Sequence, residues 1–146
     1  MTIWLAISNH KNWEIIKKEN IWGVTKHHKN TIEKVMVNDK IIIYVSQVNK
    51  SPRVFSQITG VYDVISPMYE DSTDLFIPKD HGRDRSFPYR IKLKPCMIFK
   101  EPILFETLIN RLNFIVNKKN WGGHLQGKAM RIIPTEDYEL IISIQS

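Results

Sequence analysis

The sequence predicts an α+β domain, mostly strand with two peripheral helices. Three observations lead there. Ile3-Trp4-Leu5-Ala6-Ile7 and Lys40-Ile41-Ile42-Ile43-Tyr44-Val45-Ser46 are apolar runs too short for typical helices, and the second is strongly β-branched. Helical spacing of apolar residues occurs in two places, around Trp13 and Ile16 and again through Leu104, Leu108, Leu112 and Ile115. Strand and helix do not alternate as a doubly wound parallel sheet requires, and no internal repeat is present.

In chain order, Ile3 to Ile7 reads as a buried strand ending in two small polar residues, Ser8 and Asn9. Either can cap a helix from Lys11 to Glu19, with Trp13 and Ile16 facing the core and Lys17 and Lys18 near the C-terminal end, where the helix dipole favours cations. Ile21-Trp22-Gly23-Val24 follows as a loop or short extended piece, and Lys26-His27-His28-Lys29-Asn30 as a basic loop. Asn38-Asp39 is a turn signal before the central strand at Lys40–Ser46. Val54 to Ser66 is a second extended segment, with Phe55 among its apolar residues and Gly60 marking a bulge or close backbone approach.

Met68 to Ser86 is the least regular stretch, and long irregular loops in compact domains often line binding sites. Phe87 to Lys94 resumes alternation, with Tyr89, Ile91 and Leu93 on one face and Arg90, Lys92 and Lys94 on the other. Leu104 to Val116 is expected to be the second helix, followed by strands at Met130–Ile133 and Leu140–Ile144.

Residues 1–146 suit one domain, since the chain can bury one hydrophobic core and not two. A 42% hydrophobic and 25% charged composition is that of an ordered globular chain. No run is apolar enough to span a membrane, and Met1 leads directly into the first strand, so the expectation is a soluble, cytoplasmic protein without membrane contact. Cys96 is the only cysteine, which excludes an internal disulfide or a cysteine zinc knuckle. The net charge of +6 gives a field that favours polyanions.

Phosphate loops, nucleophile elbows and His-Glu-x-x-His patterns are missing. His10, His27, His28, His81 and His124 are scattered and read as solvated loop residues; Asp71 and Asp74 read as a solvated acidic turn. Cys96 has no basic helper beside it in the sequence. The expectation is therefore no catalytic residues, no metal and no cofactor. What stands out instead is a strand tip bearing hydroxyl and amide groups with an indole, Trp22, returning after the helix. These can form the floor and wall of a site for a flat ligand, and in a basic chain the first such ligand is a nucleobase.

The ordered pieces Trp4-Leu5-Ala6-Ile7-Ser8-Asn9 with Trp13, Trp22-Gly23-Val24, Asn38 to Tyr44, Phe87 to Ile91, Leu112 to Ile115, Trp121, and Gly127 to Ile133 resemble the EVE domain. That family is part of the PUA-like superfamily and related to YTH domains. Many members have a Pro-Gly-Asp turn where this chain has Val37-Asn38-Asp39, which alters turn chemistry more than the site. The resemblance implies a PUA-like mixed β-barrel flanked by helices and a pocket for a modified, methylated base of DNA or RNA. By position it implies nucleobase contacts from Ser8, Asn9, Trp22, Gly23, Val24, Tyr44, Ser46, Phe87, Tyr89 and Arg90. Lys17, Lys26, Lys29, Arg83, Arg85 and Lys92 are the expected phosphate contacts. Trp4 and Trp13 read as core and Trp121 as an anchor of the last turn.

Two rivals stay open on sequence alone. One is a small RNA-processing hydrolase using Tyr44, Lys40, Arg90 or an Asp of the irregular stretch; the other is a protein-interaction module. A recognition module of this size also suits a protein partner that converts binding into an outcome, and its oligomeric state is open.

Overall fold

The computed structural model describes residues 1–76 and 87–145. Among the described residues, seven strands, β1 (Ile3–Ser8), β2 (Ile21–Val24), β3 (Lys40–Val45), β4 (Gln57–Val64), β5 (Tyr69–Glu70), β6 (Tyr89–Leu104) and β7 (Met130–Ile133), form a mixed sheet curled into a half-barrel. Its strand order is β2-β6-β4-β3-β1-β7, with β5 paired to β6. Helices α1 (His10–Glu19), α2 (Lys29–Ile32) and α3 (Thr135–Gln145) flank it.

The centre of the sheet follows directly from the two apolar runs. β1 and β3 lie parallel, Ile3 opposite Lys40 and Ser8 opposite Val45. Successive side chains of a strand point to opposite faces, so Trp4, Ala6, Ile41, Ile43 and Val45 enter one core cluster. Ile3, Leu5, Ile42 and Tyr44 enter the other. Burial on both faces is why these strands are apolar throughout rather than alternating. Asp39 fixes their start: its carboxylate accepts hydrogen bonds from Thr2 N, Trp4 Nε1 and Met36 N, each at 3.0 Å. Asn38 takes the positive φ of 79° that the preceding turn needs.

β6 makes the sheet curl. Its first residues pair with β2, Lys92 opposite Ile21, and its later ones pair with β4, Leu93 opposite Val64 and Leu104 opposite Gln57. The bulge expected at Gly60 is present as register shifts on both sides of β4. A Cβ at Gly60 would sit 3.0 Å from the Met97 carbonyl oxygen, so the close approach needs glycine there.

Several expectations are corrected. Of the two forms open to Ile21–Val24, a loop or a short extended piece, the structure shows the second, as a paired strand, whereas the expected basic loop at Lys26–Asn30 is a 3-10 turn leading into α2. Phe55 is exposed and lies outside β4. Leu104–Val116 is not a helix: Leu104 ends β6, 42% exposed, and a 3-10 turn at Phe105–Thr107 begins a chain of tight turns. Leu108, Leu112 and Ile115 are nevertheless buried, as their spacing required. The N–H groups of Asn113 and Phe114 donate to the Asp137 carboxylate at 2.7 and 2.9 Å, and those donors are then lost to a helical ladder. Leu140–Ile144 is helix rather than strand. Glu136 and Asp137 in the first turn of α3 favour the helix dipole, and that local signal outweighs the β-branched isoleucines.

Candidate functional site

The parallel pairing of β1 and β3 brings both C-terminal ends to one edge of the sheet. Ser46 N and Oγ donate to the Ser8 carbonyl at 2.8 and 3.2 Å. Ser8 Oγ donates to the Asn9 carbonyl at 2.9 Å. Asn9 Oδ1 caps α1 by accepting from Asn12 N at 2.8 Å, which leaves its Nδ2 group as the donor it can offer. These residues open on a cavity of about 300 Å³.

The walls come from two other places. Trp22, Gly23 and Val24 of β2 line one side, with Thr25 and His28 beyond them. Phe76 and Phe87, ring centroids 5.6 Å apart, line another. Gly23 is required for that closure, because a Cβ there would fall 2.9 Å from Phe76 Cε2 and 3.1 Å from Arg90 Cγ. The rim is completed by Lys128 and Ala129, brought to the strand tip by the Ile7 N–H donating to Ala129 O at 2.8 Å.

Of the expected nucleobase contacts, Ser8, Asn9, Trp22, Gly23, Val24, Ser46 and Phe87 thus line one cavity. Trp22 lines the cavity from within the core. It is 4% exposed, belongs to the core cluster, and has a buried Nε1 with no hydrogen-bond partner among the described residues. Tyr44 lies across the sheet against Phe105, centroids 4.9 Å apart; burial raises its pKa, offset by a hydrogen bond with Ser56. Tyr89 is outside the cavity and lies under Lys29, 5.2 Å from its ring.

Arg90 does not point to solvent as the alternation implied. It is 2% exposed, donates through Nε to the Phe87 carbonyl at 2.8 Å and through Nη2 to the Thr73 carbonyl, and pairs with Asp71 at 3.7 Å. Its guanidinium lies 5.9 Å from the Phe76 ring. Arg90 therefore holds the two phenylalanine walls in place. Asp71 has its pKa lowered first by hydrogen bonds from Thr73 and last by Arg90.

The expected phosphate contacts are scattered. Lys17 pairs with Glu14 at 3.0 Å, Lys29 with Glu33 at 3.7 Å, and Lys92 covers the Tyr69 ring at 5.8 Å. Lys26 is exposed beside Thr25. Arg83 and Arg85 lie outside the described residues, as does His81.

Sequence reasoning missed Ile7, Asn12, Thr25, His28, Phe76, Lys128 and Ala129 as cavity residues. The helix capped by Asn9 puts Asn12 one turn on, a signal that could have found it. Nothing local predicts Lys128, which arrives through long-range pairing of β7 with β1. His28 has its pKa held below the usual histidine range, first by burial and then by the neighbouring His27, so at neutral pH it offers an uncharged imidazole. Among the described residues, no carboxylate lines the cavity and no cluster of His, Cys, Asp and Glu could hold a metal ion. None of the described helices is long and apolar enough to cross a membrane.

The fold has solved counterparts. The human THYN1 protein in complex with 5-methylcytosine-containing DNA matches with a TM-score of 0.64 at 12% identity, covering 100% of this chain and 98% of that one. The YTH domain of the Zygosaccharomyces rouxii MRB1 protein in complex with N6-methyladenosine RNA matches with a TM-score of 0.58 at 16% identity, covering 99% and 87%. These likenesses establish the PUA-like architecture. In sequence, a UPF0310 protein of Pyrococcus horikoshii is 48% identical over 143 residues, 97% of each chain. A UPF0310 protein of Pyrococcus abyssi is 44% identical over 145 residues, 99% of each chain. The family model for the EVE domain matches residues 2–144, and the chain belongs to the EVE domain family.

Proposed function

We propose that this chain is a non-catalytic module that binds nucleic acid and reads a modified base turned out into the cavity at the β1 and β3 tips. The observation that carries this reading is the cavity itself: Trp22, Phe76 and Phe87 supply flat apolar walls, Ser8, Asn9 and Asn12 supply polar groups, and no described carboxylate would repel a phosphate. The THYN1 protein and the YTH domain that share the fold were solved with methylated DNA and methylated RNA.

Magnitudes define what such a site must do. Stacking a base on aromatic side chains contributes about 1–3 kcal/mol and serves every base alike. Burying one added methyl contributes about 0.8 kcal/mol, roughly a fourfold preference. Larger discrimination needs fixed partners on the base edge, so that a wrong base leaves them unpaired. Asn9 Nδ2, the neutral His28 imidazole and the Trp22 Nε1 proton are the groups we assign to that task, with Lys26 and Lys128 toward the phosphates.

The hydrolase reading loses support because its acid–base groups do not meet. Lys40 and Tyr44 stand four residues apart on β3, about 13 Å. Lys40 pairs with Asp63, and Arg90 is committed to backbone carbonyls.

The test is binding to matched DNA and RNA oligonucleotides carrying cytosine, 5-methylcytosine, adenine or N6-methyladenine, at two salt concentrations. A preference of about tenfold or more for one modified base, kept at both salts, is expected. Equal, salt-sensitive affinity for all of them would reduce the site to a basic surface.

A further inference from the structure

The sites expected for the nucleic-acid backbone on α1 and α2 are poor ones, since Lys17 and Lys29 are each neutralised by a glutamate. The opposite rim differs. From Thr107 to Thr135 the chain carries Arg111, Lys118, Lys119, Lys128 and Arg131 and no Asp or Glu. Lys118 and Arg131 donate to carbonyls of Leu112 and His124, whereas the ammonium groups of Lys119 and Lys128 have neither an ion pair nor a hydrogen bond among the described residues. A shallow hollow lies in this segment, lined by Lys119, Asn120, Trp121, Gly122, Gly123 and Gln126. Trp121 is half-buried, its ring 5.3 Å from that of Phe105, so the indole is braced from within while it lines the hollow.

The hollow and the base cavity share a rim. Gln126 lines the first and Lys128 the second, and two residues of backbone separate their Cα atoms by no more than about 7.6 Å. Gly127, at φ 75°, makes the turn between them.

We propose that this hollow is a second subsite, which takes the nucleotide next to the one whose base enters the cavity. Trp121 is its stacking platform, and Lys119 and Lys128 hold the phosphates on either side. Aromatic stacking beside free cations is the combination that suits single-stranded nucleic acid. The proposal rests on the reading of the cavity as a base site, and the experiment separates the two.

Affinities of the intact chain are measured for 5-methyl-2′-deoxycytidine and for the DNA trinucleotide with 5-methylcytosine at its centre. N6-methyladenosine and its RNA trinucleotide are run alongside. The trinucleotide of the preferred base should bind about tenfold more tightly than its nucleoside. Trp121→Ala would also disturb the packing on Phe105, so the decisive variants are Gly122→Leu and Lys119→Glu. A Cβ at Gly122 meets no heavy atom within 4 Å, so leucine fills the hollow without straining the fold, and Lys119 is exposed. Both should abolish the trinucleotide gain and leave nucleoside affinity and thermal unfolding unchanged. A gain that survives both substitutions, or nucleoside and trinucleotide binding equally well, overturns the subsite while the cavity reading stands. Failure of every probe to bind removes the cavity reading and the subsite with it.

Discussion

The two faces of the central sheet are built from the same strands and end differently. On one face, Ile3, Leu5, Ile42 and Tyr44 meet Phe105, Leu108, Leu112 and Ile115, and the turns from Phe105 onward and α3 cover them. On the other, Trp4, Trp13, Trp22 and Ile43 form an equally apolar floor, yet the cover is interrupted by a cavity of about 300 Å³. The difference lies in what closes each face. The sealed face is tied by a carboxylate accepting two backbone N–H groups, the bonds from Asn113 and Phe114 to Asp137. The open face is closed by Phe76, which lies over Gly23, and by Phe87 beside it, both held by Arg90.

The largest effect should come from Trp22→Ala, because the indole is core as well as wall. A loss of about 3–5 kcal/mol in urea unfolding is expected for truncating a buried tryptophan. A loss below about 1 kcal/mol would mean that the open face is held without it. Asp137→Ala tests the sealed face. The carboxylate is 1% exposed, and each orphaned N–H costs about 1–3 kcal/mol, so a destabilisation near 3 kcal/mol with ligand affinity unchanged is predicted. An unchanged unfolding midpoint would show that the turns seal themselves.

Gly23→Ala addresses the aromatic cover of the open face. The new methyl must displace Phe76, so oligonucleotide affinity should fall about tenfold, roughly 1.4 kcal/mol, while stability changes less than in either substitution above. Equal affinity in titration calorimetry would show that Phe76 has no part in binding. The smallest effect concerns pH. Burial and His27 lower the His28 pKa on folding, so the unfolded chain takes up the proton first. This group costs no stability above the usual histidine range and reduces it as pH falls from there toward the folded value. His28→Gln should flatten that part of the stability curve; an unaltered slope would show that His28 has no part in it.

The first part of the chain was legible because its signals are local and agree. The Ser8-Asn9 tip, its cap, the burial of Trp13 and Ile16 and the strand at Lys40–Val45 follow from short apolar runs and 3.6-residue spacing acting over neighbouring residues. The later part misled because burial and secondary structure separate there. Leu108, Leu112 and Ile115 keep helical spacing on a path of turns, and Ile141, Ile142 and Ile144 sit in a helix despite their strand preference. Arg90 misled for a related reason: alternation sends it outward, and the nearby Phe87 carbonyl together with Thr73 and Asp71 from the preceding irregular stretch make its burial tolerable.

By itself, then, the sequence determined the family, the apolar centre of the sheet and the polar tip at Ser8 and Asn9, since these depend on residues close along the chain. Only the tertiary structure decided which walls face that tip. Phe76, His28 and Lys128 reach the cavity through three separate connections, and Tyr44 is turned away from it by the side of the sheet it occupies. Contacts between distant segments are fixed by register and packing of the whole sheet, which no local pattern of side chains encodes.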